Sequence, residues 1–209
     1  MSSSQPVSSH YASAAPIHER GLHSRAGNAM ARTRAAVLDG AARAVEKHGA
    51  RKATMADIAS LAGIAKGTLY NHFRAKEAVY GAALEAGIKS LAAECVAAAR
   101  DDLADALSLA ADRIGTHPAI RRIAADEPMV LASLVTPTDM PLWGLARSAV
   151  RDVLIAAGVA TSAASIDLVV RWLTTYLVAP AAEASDQAGL LAAALLPDGD
   201  GPAWQDGHQ

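Results

Sequence analysis

Three observations predict an all-α protein. Hydrophobic residues make up 52% of the 209 positions, yet only 4% of the chain is aromatic and much of the apolar content is alanine, which suits closely packed helices. Apolar residues recur at helical spacing along most of the chain. No stretch of alternating β-branched residues is long enough to predict a sheet.

The first predicted helix covers residues 30–48. Its apolar stripe includes Val37, Ala41 and Val45, and Gly49 follows as a stop. Basic residues dominate the other side of this helix, where they form a mostly solvated face.

Residues 54–62 predict a short helix with a defined start and stop. Thr54 is an N-cap residue whose hydroxyl can accept from the backbone N–H of Asp57, and the Asp57 carboxylate favours the positive end of the helix dipole. Four apolar residues share one helical face: Met55, Ile58, Ala59 and Ala62. Gly63 follows the last of them, where a helix stop needs a positive φ.

A second short helix is predicted at residues 66–73, after a tight turn. Leu69 and Phe73 lie four residues apart and share its buried side. The opposite side, which we call the outer arc, carries Lys66, Gly67, Thr68, Tyr70, Asn71 and His72. The outer arc has no acid, and its donors suit a polyanion: Lys66 can reach phosphates and Asn71 can pair with a base edge in a major groove. An ordinary helical hairpin with a polar outer face is the alternative.

Charge is distributed unevenly along the chain. Residues 29–90 contain ten Lys or Arg and five Asp or Glu, a net charge of +5, whereas residues 91–209 contain seven and fifteen, a net charge of −8. A basic module joined to an acidic remainder is expected when one end meets nucleic acid. Residues 1–28 lack apolar periodicity and predict a disordered tail. The alternative is a basic arm in which Arg20 and Arg25 touch DNA beside the main site.

The run AGIAKGTLYNHFRAKE at residues 62–77 resembles the signature of the TetR/AcrR (tetracycline-repressor-type) transcriptional regulators. The resemblance extends over residues 32–84. It implies a helix-turn-helix head of three helices that binds double-stranded operator DNA, and a helical body that binds a small-molecule effector. Ala65 departs from the Ser that is common there, which removes a helix cap worth about 1 kcal/mol. The implied DNA contacts are Thr54, Lys66, Gly67, Thr68, Tyr70, Asn71, His72 and Lys76.

Seven further helices are predicted beyond the head, at about 76–99, 102–115, 118–125, 128–135, 142–157, 163–178 and 186–196. Asp102 and Ser162 have the residue types of helix starts. Four parts result: a tail at 1–28, a DNA-binding head at 29–75, a regulatory and dimerisation body at 76–197, and a disordered tail at 198–209.

Two features of the body bear on function. Helices 142–157 and 163–178 are amphipathic, and the resemblance implies a homodimer in which they pair with their copies; packing within one chain is the alternative. The large side chains of an otherwise Ala-rich body predict an apolar effector pocket beside the Pro-broken segment 136–141. These candidate ligand contacts are Met129, Leu131, Met140, Trp143, Trp172 and Tyr176, with simple core or dimer interface as the alternative.

Other chemistry finds little support in the sequence. There is no phosphate-binding loop, no H-E-x-x-H or paired-Cys metal pattern and no G-x-S-x-G, so we predict no enzyme, metal or cofactor. The single Cys95 fits a reducing compartment and a core position. We find no signal peptide and no membrane-spanning run, which predicts a cytoplasmic protein. The rival function is a helical enzyme or adaptor of the same fold without DNA binding.

Overall fold

The computed structural model describes residues 17–135, 141–179 and 182–196. This part of the chain is all-α, as predicted, and no strand occurs within it. The described helices are α1 (Ile17–His48), α2 (Met55–Ala62), α3 (Lys66–His72), α4 (Lys76–Ala99), α5 (Leu103–Thr116), α6 (Pro118–Asp126), α7 (Pro128–Val135), α8 (Pro141–Ala156), α9 (Ala163–Thr175) and α10 (Ala184–Leu195).

The first helix starts earlier than the sequence predicts. α1 begins at Ile17, so residues 17–28 are helical where a disordered tail was expected. The prediction failed because helix propagation adds one hydrogen bond per residue once a turn exists, and no proline interrupts the chain between Ile17 and His48. The rest of the predicted tail, residues 1–16, and the predicted C-terminal tail, residues 198–209, lie outside the described residues.

The head is built from α1, α2, α3 and the start of α4 around one small core. Nine buried side chains form this core: Val37, Ala41, Ala44, Ala53, Ile58, Ala59, Leu69, Phe73 and Val79. Ile58 and Leu69 are fully buried, which confirms the predicted inner faces of α2 and α3. The core therefore fixes which sides of these two short helices face outward.

Helix α4 belongs to both head and body. Its first turns contribute Val79 to the head core, and its last turns contribute Cys95 and Ala99 to the main core of the body. Cys95 is buried, as predicted, and burial raises the pKa of its thiol to about 11. A single helix of 24 residues thus joins the head to the body.

The body packs α4, α5, α8, α9 and α10 around a core of aliphatic and alanine side chains. Two of its helix starts carry the caps that the sequence predicts: the Asp102 carboxylate accepts from the N–H groups of Ala104 and Asp105, and Ser162 forms a capping box with Ser165. α10 begins at Ala184, two residues before the predicted start. α9 ends at Thr175, three residues before the predicted end. Residues 176–178 form a turn instead.

Candidate nucleic-acid interface

The start of α2 is fixed by a reciprocal pair of hydrogen bonds. The Asp57 N–H donates to Thr54 Oγ1 at 3.2 Å, which confirms the predicted N-cap, and the Thr54 N–H donates to Asp57 Oδ2 at 2.9 Å, which completes a capping box. The Thr54 hydroxyl also donates to Asp57 Oδ2 at 2.6 Å, and these bonds lower the pKa of the Asp57 carboxyl. Gly63 ends α2 with φ +67°, as predicted. Because its hydroxyl proton is donated to Asp57, Thr54 has no side-chain donor left for a phosphate oxygen in this arrangement.

The outer arc of α3 faces away from the head core. Tyr70 is 45% exposed, and Lys66, Gly67 and Asn71 are also exposed, whereas Thr68 and His72 are half-buried. The Lys66 ammonium lies 5.9 Å from the centroid of the Tyr70 ring, so the two side chains share one surface. As the sequence indicated, Ala65 at the N-cap provides no side-chain hydrogen bond. The free N–H groups at this end of α3 therefore remain available to solvent or to a phosphate.

Lys76 is placed differently from the prediction that it contacts phosphate. Its ammonium donates to three carbonyl oxygens of the turn between α1 and α2, those of Ala50 at 3.2 Å, Arg51 at 2.8 Å and Ala53 at 3.4 Å. An ammonium has three donors, and here all are occupied within the head. Sequence reasoning missed this role because the bonded residues lie more than twenty positions away along the chain.

Tyr80 supports the same turn from the next helical turn of α4. Its hydroxyl donates to the Ala50 carbonyl at 3.1 Å, and burial, with smaller contributions from Glu77 and Glu127, raises its pKa to about 12. The sequence marked Tyr80 only as part of the buried stripe of α4. The turn that leads into α2 is thus held by two side chains of α4.

The raised pKa of Tyr80 predicts a change in stability at alkaline pH. The Tyr80 hydroxyl ionises near pH 10 in the unfolded chain and near pH 12 in the folded protein. The contribution of the neutral hydroxyl to the free energy of unfolding is therefore complete below pH 10 and is lost as pH rises through 12. Urea unfolding of Tyr80→Phe should show a loss of about 1 kcal/mol at neutral pH. The difference between wild type and variant should then shrink from pH 10 to 12. A difference that stays constant across this range would contradict the assignment.

The predicted effector contacts lie in separate environments. Met129 is 77% exposed, whereas Leu131 is fully buried. Trp143 packs against the main body core. Met129 therefore points to solvent at the start of α7. The described residues do not gather it with the other side chains into one pocket. Met140 lies outside the described residues.

Trp172 and Tyr176 do come together. Their rings meet edge to face with centroids 5.1 Å apart. The Trp172 indole N–H at 3.1 Å and the Tyr176 hydroxyl at 2.8 Å both donate to Oε1 of Gln187 on α10. Tyr176 is 4% exposed and packs with Ala111 and Ala184 in a small satellite core. This arrangement is a closed contact between α9, α10 and α5.

No group of three or more His, Cys, Asp or Glu side chains in 17–135, 141–179 and 182–196 is arranged to hold a metal ion. Within the same ranges, no helix combines the length and apolarity needed to cross a bilayer. A shallow depression of about 360 Å³ lies where Arg51 of the head meets residues 126–130 of the body.

Comparison with known proteins places the head in a family. A family model described as bacterial regulatory proteins of the tetR family matches residues 37–83, which contain α2, α3 and the adjoining parts of α1 and α4. The head is therefore similar to the DNA-binding part of tetR-family regulators. The HTH-type transcriptional regulator TtgR of Pseudomonas putida is 43% identical over 53 residues, which are 25% of this chain and 25% of TtgR. The chain thus spans a quarter of the length of this curated relative.

Solved structures of transcriptional regulators resemble the chain over more of its length but at lower identity. FadR from Bacillus subtilis, in complex with stearoyl-CoA, is 14% identical with a TM-score of 0.45, covering 77% of this chain and 98% of FadR. A TetR-like regulator from Rhodococcus sp. RHA1 is 19% identical with a TM-score of 0.44, covering 77% of this chain and 93% of that protein. At these TM-scores neither likeness identifies the ligand of the body.

Proposed function

We propose that this protein is a DNA-binding transcriptional regulator of the TetR/AcrR family that represses its target until a small molecule binds the body. The observation that carries the proposal is the outer arc of α3, an exposed surface without acids that presents Lys66, Tyr70 and Asn71 on one side of a short helix. The burial of Leu69 and Phe73 on the other side holds this surface outward. Such a helix fits a major groove, with its exposed side chains aimed at phosphates and base edges.

The outer arc divides by chemistry into positioning and base-reading groups. Lys66 and Tyr70 would bond to phosphates, and Gly67 would let the DNA backbone approach α3 closely. Asn71 has the paired donor and acceptor needed to recognise adenine in the major groove. Thr68 and His72 flank these groups at half-exposed positions. Thr54 would contribute at the start of α2 by turning its hydroxyl proton from Asp57 to a phosphate oxygen. Lys76 would instead act within the head by holding the turn that precedes α2.

The protein would act as a homodimer formed through α8 and α9. The exposed sides of these helices carry small and apolar residues beside charged ones such as Arg151 and Arg171. The small and apolar residues include Gly144 and Ala164, and also Ile155 and Leu168, which are 57% and 50% exposed. An ion pair between Arg147 Nε and Asp167 Oδ1 at 2.7 Å fixes the two helices against each other. Two heads related by a two-fold axis would read a pseudo-palindromic operator with half-sites about 34 Å apart, or a small multiple of this distance.

Release from DNA would require an effector that binds the body and prefers the arrangement of heads that does not fit the operator. A near-complete switch needs a preference of about 10⁴-fold, or roughly 5.5 kcal/mol. An apolar molecule suits the aliphatic interior of the body. The large side chains that would contact it after local opening of the helices are Leu131, Trp143, Trp172 and Tyr176. The protein would work in the cytoplasm and would carry no catalytic activity.

An electrophoretic mobility shift with the DNA upstream of the protein's own reading frame tests this function. We expect a discrete complex that survives competition by excess nonspecific duplex, since base contacts add specificity to phosphate contacts. The rival, a helical enzyme or adaptor without DNA binding, predicts no shifted band. A protein that fails to shift this duplex and also selects no sequence from a random duplex library would contradict the proposed function.

The two lysines at this end of the molecule should differ in their effect on salt dependence. Lys66→Ala should weaken binding to all sequences alike and lower the slope of log Kd against log salt by about one unit, because one phosphate contact is lost. Lys76→Met should instead lower the melting temperature, because three carbonyl oxygens of the turn lose their donor. Binding titrations at four salt concentrations, with thermal unfolding in parallel, measure both. Loss of one unit of slope in Lys76→Met at unchanged stability would reverse these roles.

A further inference from the structure

The turn that precedes α2 is also bonded from the side of the body. Glu127, the residue between α6 and α7, places both carboxylate oxygens 3.1 Å from the backbone nitrogen of Arg51, so that the Arg51 N–H donates to them. The two residues are 76 positions apart in the sequence. A backbone amide of the head is therefore bonded to a charged side chain of the body, and hydrogen bonds of this kind are stronger than neutral ones.

Gly49 makes room for this contact. A Cβ atom at position 49 would lie 2.5 Å from Oε1 of Glu127, closer than such atoms approach. The φ of Gly49 is +80°, which also disfavours any other residue. The absence of a Cβ atom and the tolerance of positive φ therefore both favour glycine at position 49, where the Glu127 carboxylate contacts the turn.

The start of α6 is hydrogen-bonded to the end of α9. Nη2 of Arg121, in the first turns of α6, donates to the carbonyl oxygens of Tyr176 at 3.0 Å and Leu177 at 2.7 Å, just past the end of α9. These carbonyls lie at the negative end of the α9 dipole, where a cation is favoured. α6 is thus attached at its start to the end of α9 and at its end, through Glu127, to the turn before α2.

We propose that Glu127 is a positioning residue that sets the angle of the DNA-binding head relative to the body. This inference rests on the proposed function, since α9 forms part of the proposed dimer face. The path from that face runs through the end of α9, Arg121, α6 and Glu127 to the Arg51 amide. When the carboxylate holds the amide, each head is kept at a fixed separation from its two-fold copy. Without it the head stays attached through α4 and through the packing of α1 against α6, but the turn before α2 is no longer fixed and the heads sample a wider range of separations.

The test measures how full-length variants tolerate changes in half-site spacing. An operator selected by the wild type from a random duplex library is rebuilt with one to four base pairs added or removed between its half-sites. Wild type should lose affinity steeply away from the optimum. For Glu127→Ala the penalty for two added base pairs should be about tenfold smaller, the scale of one hydrogen bond to a charged group. Affinity for an isolated half-site should not change, because α3 is untouched.

Two variants control for charge and for simple destabilisation. Asp126→Ala removes the neighbouring carboxylate, which is ion-paired with Arg122 on the surface, and should keep the wild-type spacing profile. Glu127→Gln keeps an acceptor for the Arg51 N–H and should restore most of the steep profile. A Glu127→Ala profile that superimposes on those of wild type and Asp126→Ala would overturn the positioning role.

A second readout does not depend on DNA. Hydrogen exchange at the Arg51 amide should be about tenfold faster in Glu127→Ala than in Asp126→Ala, and Glu127→Gln should lie nearer to wild type. Equal exchange rates in the two alanine variants would overturn the bond between head and body. Failure of the wild type to select any DNA would overturn the proposed function instead, so the two failures can be told apart.

Discussion

Replacing Phe73 by alanine should unfold the head, with a loss of about 3–5 kcal/mol in the free energy of unfolding. The Phe73 ring is 6% exposed and belongs to the core shared by α1, α2, α3 and the start of α4. The Arg34 guanidinium lies 5.0 Å from the ring centroid and covers it from α1. Removing the ring therefore leaves a cavity between these helices, and α2 and α3, with eight and seven residues, are too short to be stable without the shared core.

Tyr70→Ala is the matched change on the opposite side of the same helix. Since Tyr70 is 45% exposed, its removal should change stability by no more than about 0.5 kcal/mol while weakening operator binding. Chemical unfolding and a mobility shift on the same two variants measure both quantities. If Tyr70→Ala unfolded readily and Phe73→Ala did not, α3 would be rotated from the orientation described, and the list of DNA contacts would be wrong.

The head was predictable because its determinants are local. The cap at Thr54, the stop at Gly63 and the four-residue spacing of Leu69 and Phe73 each involve residues within one or two helical turns. Local hydrogen bonds and helical periodicity can be deduced from residue types alone. The outer arc followed from the same periodicity, since a known buried side fixes the exposed one.

The contacts that orient the head could not be deduced in this way. Lys76 and Glu127 both bond to the turn between α1 and α2, but they come from 25 and 76 residues farther along the chain. Neither residue has a spacing or a motif that signals its partner. The family resemblance implied a phosphate contact for Lys76, whereas in the structure its ammonium donates to carbonyl oxygens of the turn. The position of such a side chain depends on which distant backbone carbonyl or N–H group needs a hydrogen-bond partner in the folded chain.

The body illustrates a different limit. Helix positions followed from apolar periodicity and from caps such as Asp102 and Ser162. The predicted effector contacts do not lie together in the structure. The size and flexibility of a side chain indicate that it can line a pocket, but they do not determine which side of its helix faces that pocket. Met129 is exposed at the start of α7, whereas Tyr176 is closed in by Gln187 and Ala111. Pocket residues depend on how helices pack, which is set by many weak contacts at once.

Leu168→Glu should convert the protein into a monomer and abolish binding to a full operator. Leu168 is 50% exposed on the outer side of α9, within the proposed dimer face. A two-fold interface would bring two introduced carboxylates into an apolar contact region, and burying unpaired charges costs about 3–5 kcal/mol. Losing the dimer also removes the avidity of two linked heads, a factor of about 10²–10⁴. Sedimentation velocity and operator titration measure the two effects.

Leu190→Glu provides the matched control for this change. Leu190 is 75% exposed on α10, outside the proposed face, so the same substitution adds the same charge without meeting a copy of itself. We expect this variant to remain dimeric, to bind the operator as wild type does and to melt at a similar temperature. A monomer from Leu190→Glu together with a dimer from Leu168→Glu would move the interface from α8 and α9 to α10. The two heads would then lie at a different separation, and the half-site spacing of the operator would differ accordingly.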